Sequence, residues 1–149
     1  MRIAIGADHA GFNYKRELIV VLRALGHDVT DFGTGSTDPV DYPDFVRPVA
    51  EAVARGEFQC GIVLGGSGNG EAMVANKVPG IRCALCWDAT VARLARLHND
   101  ANMLSLGERV VGLETAKDVV RAFLDTDYEG GRHARRLKKM AAMERLPSI

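Results

Sequence analysis

Five short apolar runs alternate with stretches in which apolar residues recur every three or four positions, and this alternation constrains the fold more than any other feature of the chain. The first run, Ile3 to Asp8, passes through Gly-Ala-Asp-His-Ala-Gly (6–11) into Tyr14, Leu18, Ile19, Leu22 and Leu25, which recur at helical spacing before Gly26. The unit then recurs with variations. Asp28–Phe32 reads as a second strand and Asp44–Arg55 as a helix, and Gly61–Leu64 is a third strand that opens into a glycine-rich loop. Ile81–Trp87 is a fourth strand, Asp88 is suited to cap a helix through Leu97, and Met103–Leu106 is a fifth strand followed by a helix over Leu113–Leu124. Pro43 suits a helix start, whereas Pro48 is expected to kink the second helix or delay its beginning. Strands that are apolar on both faces predict an α/β fold, a five-stranded parallel sheet covered by helices on both sides. A last basic helix, Arg132–Arg145, follows Gly130-Gly131 with no strand after it, and is expected outside the sheet or against a neighbouring subunit.

With 149 residues, 47% of them hydrophobic, the chain is expected to be a single domain over 1–149 with a full core. Nineteen basic residues balance nineteen acidic ones, so the net charge gives no reason to expect nucleic acid as a partner, and any phosphate site must be local. Three cysteines, an odd number, and a start without a signal-peptide pattern point to a reducing cytoplasm. No apolar run approaches the roughly 20 residues that cross a bilayer, so no membrane span is expected.

In a parallel sheet of this kind ligands bind at the carboxyl ends of the strands. Gly6–Gly11, Gly65–Glu71 and His98-Asn99-Asp100 all lie at or near strand or helix ends, where loops from different units are expected to converge. Gly65-Gly66-Ser67-Gly68-Asn69-Gly70 has four glycines in six residues, which lets backbone N–H groups approach an anion. The same glycines would also serve a tight strand-to-helix connection. The loop has neither the lysine of a Walker A motif nor the dinucleotide-binding glycine pattern. Glu71, directly after it, is either a base beside an oxyanion cradle or a favourable charge at a helix N-terminus. Asp8-His9 could bind hydroxyl or phosphate groups, or be a cap and a surface histidine. His98-Asn99-Asp100 is an acid/base group or a polar helix end. Arg132, Arg136 and Lys139 fall at i, i+4 and i+7, a basic face that is either solvated or a phosphate clamp. Cys83 and Cys86 have metal-like spacing, but on a strand they point to opposite faces, which argues against a metal or redox site.

Taken together, Gly6–Gly11, Asp41-Tyr42-Pro43, Gly65–Glu71 with Ala75-Asn76-Lys77, Arg82-Cys83-Ala84, His98-Asn99-Asp100, Gly107–Gly112 and the late Gly131-Arg132-His133 with Arg136 resemble the type B ribose-5-phosphate isomerases. The resemblance runs nearly end to end. It implies a Rossmann-like α/β/α sandwich, a homodimer or dimer of dimers with shared active sites, and aldose–ketose isomerisation of a small sugar phosphate without metal or cofactor. By position, it implies Glu71 as the base that shuttles a proton through a cis-enediolate and His98 as the acid/base for ring opening. It also implies Gly66, Ser67, Gly68, Asn69 and Gly70 around the oxyanion, and Asp8 and Asn99 on sugar oxygens. His9, Arg109, Arg132 and Arg136 would serve the phosphate. One branch of the family carries a catalytic cysteine where this chain has Gly65, so the base here is expected at Glu71. The resemblance leaves open other sugar phosphates, such as allose 6-phosphate, galactose 6-phosphate or a tetrulose 4-phosphate, and a non-catalytic binding module.

Overall fold

The computed structural model describes residues 1–145. In chain order the elements are β1 (Arg2–Ala7), α1 (Phe12–Ala24), β2 (Asp28–Asp31), α2 (Tyr42–Ala54), β3 (Cys60–Gly65), α3 (Asn69–Ala75), β4 (Cys83–Leu85), α4 (Ala89–Asn99), β5 (Met103–Gly107), α5 (Leu113–Asp125) and α6 (His133–Ala142). A 3-10 turn over Met143–Arg145 follows. The strands form one parallel sheet in the order β2-β1-β3-β5-β4, with Ile5 opposite Ile62 and Ile62 opposite Leu104 across its centre. The α/β sandwich that the alternation predicts, with an extra C-terminal helix, is the fold.

Successive strand residues face opposite sides. Ile3, Ile5, Ile62, Leu64, Leu104 and Leu106 therefore join one core with Leu18 and Leu22 of α1 and Val119, Val120 and Phe123 of α5. Ala4, Val63 and Met103 join a second core with Val46, Val49 and Val53 of α2 and Ala75 of α3. The second face is paved with small residues, which lets α2 and α3 sit close to the strands. A Cβ at Gly6 would meet the Phe45 carbonyl oxygen at 2.7 Å.

From β1 the chain first moves outward to β2 and then crosses to β3 on the other side of β1. Strand order reverses between β1 and β3, so the loops that follow them lie side by side at the carboxyl edge. A hydrogen bond from the Asp8 N–H to the Leu64 carbonyl, 3.3 Å, joins them.

Three details differ from the sequence expectation. The second helix begins at Tyr42, before Asp44, and runs through Pro48 to Ala54. Val46, Val49, Ala50 and Val53 hold its inner face while Pro48 lies on the exposed side, so the carbonyl that loses its partner there faces water. The fourth strand is only Cys83–Leu85, an edge strand paired with β5 alone. Finally, a seven-residue helix, α3, grows directly out of the glycine loop. It is too short to show a helical period of its own.

Candidate active site

The Gly65–Glu71 loop joins the end of β3 to α3, and its shape is fixed from several sides. Gly68 caps α3 with φ of +82°, a left-handed conformation that favours glycine. The Ser105 hydroxyl donates to the Gly68 carbonyl at 2.7 Å, and the N–H groups of Glu108 and Arg109 donate to the carbonyls of Gly65 and Gly66 at 2.9 and 3.0 Å. A Cβ on Gly70 would meet the Tyr42 ring at 2.6 Å, and one on Gly66 would reach Arg109 Nη1 at 3.2 Å. Tyr42 and Arg109 thus flank the loop. The carbonyls of Gly65, Gly66 and Gly68 are occupied and the Gly68 N–H faces the Glu71 carboxylate, whereas the N–H groups of Gly66 and Ser67 have no acceptor among the described residues. A loop with satisfied carbonyls and free amides, leading into a helix N-terminus, is suited to hold negative charge.

Glu71 is 4% exposed. Its carboxylate fills the space beside the Gly65 Cα, where any Cβ would collide with both oxygens. Burial pushes its pKa up from the ordinary carboxylate range, the nearby Asp8 charge adds to the rise, and backbone amides of Glu71 and Gly68 oppose it. A carboxylate raised in this way accepts a proton more readily than a solvated one. Asp8, also buried, is held at the end of β1 by the N–H groups of Ala10 and Gly11, 2.9 and 3.3 Å from Oδ1. His9 accepts the Val40 N–H at Nδ1, 3.1 Å, which leaves the proton of a neutral ring on Nε2 as a donor. Asp8, His9, Gly66, Ser67, Gly68, Asn69, Gly70, Glu71 and Arg109 therefore share the carboxyl edge of the sheet.

His98, Asn99, Arg132 and Arg136 do not join them within one chain. Because α4 follows β4, it runs back along the sheet and ends at the opposite, amino edge, so the expected convergence of His98-Asn99-Asp100 with the other loops is not found inside a subunit. There the His98 ring stacks on buried His133, 4.4 Å between centroids with a 20° interplanar angle. Arg82 and Arg96 bind the backbone and side chain that end α4, with Arg82 donating to the Asn99 and Asp100 carbonyls at 2.9 and 2.8 Å. Arg132, at the N-cap of α6, and Arg136, on its first turns, are both exposed.

His98, Glu129 and His133 bring three potential ligand atoms within 4.8 Å. A metal must lie in the plane of each imidazole it binds, and two stacked rings cannot both direct a lone pair at one ion without separating. Burial pushes the Cys60, Cys83 and Cys86 thiols up to about 12, so none is a thiolate at neutral pH. Sequence reasoning did not single out Glu129, His133 as the partner of His98, or the position of Tyr42 against Gly70. The polar run Asp127-Tyr128-Glu129 ahead of Gly130-Gly131 was the available signal for the first.

A parallel α/β sheet that carries a buried carboxylate beside a glycine cradle has the parts of an aldose–ketose isomerase, and comparison with known proteins gives the family. The chain belongs to the ribose/galactose isomerase family, which matches residues 3–140. It is 47% identical over 143 residues to ribose-5-phosphate isomerase B of Escherichia coli, covering 96% of each chain. A ribose-5-phosphate isomerase B structure from Clostridium thermocellum superposes with a TM-score of 0.96 at 53% identity, over 97% of both chains. One from Mycoplasma genitalium with bound ribulose-5-phosphate gives 0.94 at 36% identity, over 98% of this chain and 97% of that one. No helix among the described residues is long and apolar enough to cross a membrane.

Proposed function

We propose that this chain interconverts D-ribose 5-phosphate and D-ribulose 5-phosphate through a cis-enediolate. The observation that carries the reading is the buried Glu71 carboxylate, with its raised pKa, next to the unpaired loop amides of Gly66 and Ser67. Glu71 takes the proton from C2 of the open-chain aldose and returns it to C1. The amides of Gly66 to Gly70, with Ser67, stabilise the charge that develops on the substrate oxygens. Asp8 and Asn99 hold sugar hydroxyls. His9, Arg109, Arg132 and Arg136 hold the phosphate, and His98 protonates the ring oxygen as the furanose opens.

This assignment needs residues from both edges of the sheet. The eleven residues of α4 span about 16 Å at a rise of 1.5 Å each, too far for one sugar phosphate to bridge within a chain. We propose that two copies pair around a two-fold axis in the cytoplasm, each lending His98, Asn99, Arg132 and Arg136 to its partner's Glu71 loop. The sequence and structural likeness to ribose-5-phosphate isomerases supports the five-carbon substrate.

The test is isomerisation across ribose 5-phosphate, allose 6-phosphate, galactose 6-phosphate and erythrulose 4-phosphate, with Glu71→Gln alongside the wild type. We expect ribose 5-phosphate to be preferred and the variant to lose about 10²–10⁴-fold in kcat, the usual worth of a general base. Ribulose 5-phosphate binding should stay within a few-fold, because the amide keeps the shape of the site. Near-normal turnover by Glu71→Gln would remove the carboxylate as the base.

A further inference from the structure

We propose that Glu129 is a positioning residue that couples an anion on Arg132 to the imidazole of His98. The roles of Arg132 and His98 rest on the reading above, whereas the coupling itself rests on their geometry. Glu129 lies in the connection between α5 and α6, and its N–H donates to the Leu97 carbonyl at 3.1 Å. The connection is thereby tied to the last turn of α4, one residue before His98.

The Glu129 carboxylate is shared by three side chains. Oε2 lies 3.9 Å from His98 Nε2 and 3.4 Å from His133 Nε2, while Oε1 lies 3.9 Å from Arg132 Nη1. Each distance exceeds the 2.7–3.2 Å of a committed hydrogen bond. The buried His133 Nε2 has no hydrogen-bond partner at all. At the end of α4, Arg82, Arg96 and Asp100 are already paired with one another, with Asp100 carboxylate contacts of 3.5 and 3.0 Å. One half-exposed carboxylate thus sits between a guanidinium and two stacked imidazoles without closing on any of them.

An anion decides which partner Glu129 keeps. A phosphate forms short, bidentate, charge-assisted bonds with a guanidinium and displaces a loosely held carboxylate from it. Glu129, released from Arg132 but still held by its backbone to α4, then closes on the ring N–H groups of His98 and His133. Because the two rings are stacked, fixing either one fixes the other. Phosphate binding would in this way set the orientation of the ring-opening histidine before the sugar ring is attacked.

The test uses the full chain, inorganic phosphate and Glu129→Gln, which keeps the side-chain shape without the charge. In the wild type, phosphate should shift the ring resonances of His98 and His133 in histidine-selective NMR spectra. In Glu129→Gln phosphate should still bind, with a Kd within about threefold, while those shifts shrink at least about fivefold, the lower end of typical coupling. Equal shifts in both proteins would mean that phosphate acts on the rings directly, and would overturn the proposal. Loss of phosphate binding in the variant would overturn it as well.

A kinetic readout separates positioning from general damage. Ribulose 5-phosphate has no ring to open, so solvent deuterium exchange at its C1 needs Glu71 and not His98. Glu129→Gln should slow net conversion of ribose 5-phosphate about tenfold, less than the roughly 10²–10⁴-fold that an acid–base group itself supplies, and leave that exchange within about twofold. Glu129→Asp, which keeps the charge, should recover part of the loss. Equal losses of conversion and exchange would refute a role through His98. If phosphate couples to the rings in a wild type that isomerises no sugar phosphate, the functional reading fails and the coupling stands.

Discussion

Replacing Gly65 by alanine tests the central geometry of the site with a single methyl group. The Glu71 carboxylate occupies the place that a Cβ at position 65 would take, and a Cβ there would collide with Cδ and both oxygens. Ordinary contact needs about 3.5 Å between such atoms, so the carboxylate must retreat by ~1–2 Å. A misplacement of about 1 Å at a reacting group costs on the order of 10²-fold, and we expect a fall in kcat of that size or larger. KM should change much less, since the displaced Glu71 carboxylate is not among the proposed phosphate contacts. Forcing a methyl into this packing costs about 1–3 kcal/mol, which for a chain of this size lowers Tm by roughly 2–10 °C. Gly35→Ala is the matched control, because a Cβ there meets nothing within 4 Å. The decisive comparison is Gly65→Ala made in the Glu71→Gln background and assayed for ribose 5-phosphate isomerisation. If the methyl acts by moving the base, the double variant should be no slower than Glu71→Gln alone. A Gly65→Ala enzyme with more than half the wild-type kcat would refute the reasoning, as would multiplicative losses in the double variant.

Two further outcomes follow from the same side chains. With the Glu71 pKa raised by burial and by Asp8, kcat/KM should fall as pH drops through that raised value, at a higher pH than an ordinary carboxylate would set. Asp8→Asn should move this acid limb to lower pH, and an unmoved limb would remove Asp8 as a cause. The sign for stability is opposite to that of a salt-bridged acid. The folded state binds the Glu71 proton more tightly than the unfolded state does, so the penalty of the buried charge is absent below the ordinary value near 4.5 and grows as pH rises towards the folded pKa. Glu71→Gln should flatten that slope in thermal unfolding followed across pH. The proposed shared site predicts complementation: mixing inactive Glu71→Gln and His98→Asn proteins, with subunit exchange, should restore about a quarter of wild-type activity. Half the dimers would then be mixed, and each mixed dimer has one intact site. No recovery on proven exchange would place both residues in the same chain's site.

The layers of the fold were readable because a buried strand and an amphipathic helix leave different periods, and β1, β3, β5, α1, α4 and α5 all carry enough residues to show theirs. Pro48 misled because it marks a missing N–H, while the start of α2 depends on Val46 and Val49 docking on a face made of Ala4, Gly6 and Gly61. The helix α3 was invisible for the opposite reason, having seven residues and only Glu71 and Ala75 buried. At the site, Gly65–Glu71 and Asp8-His9 were legible because both directly follow apolar strands, and that order alone puts them on the carboxyl edge. The same rule, applied to His98, gives the other answer. His98-Asn99-Asp100 directly precedes β5, so in a parallel sheet it must lie at the amino edge, as the structure has it. What no order of residues along a chain can express is the contact we propose between one edge and the opposite edge of a second copy. Glu71 and His98 are therefore chemically paired in the reading and topologically separated in the subunit. That separation, more than any single distance, argues that one chain holds two halves of different sites.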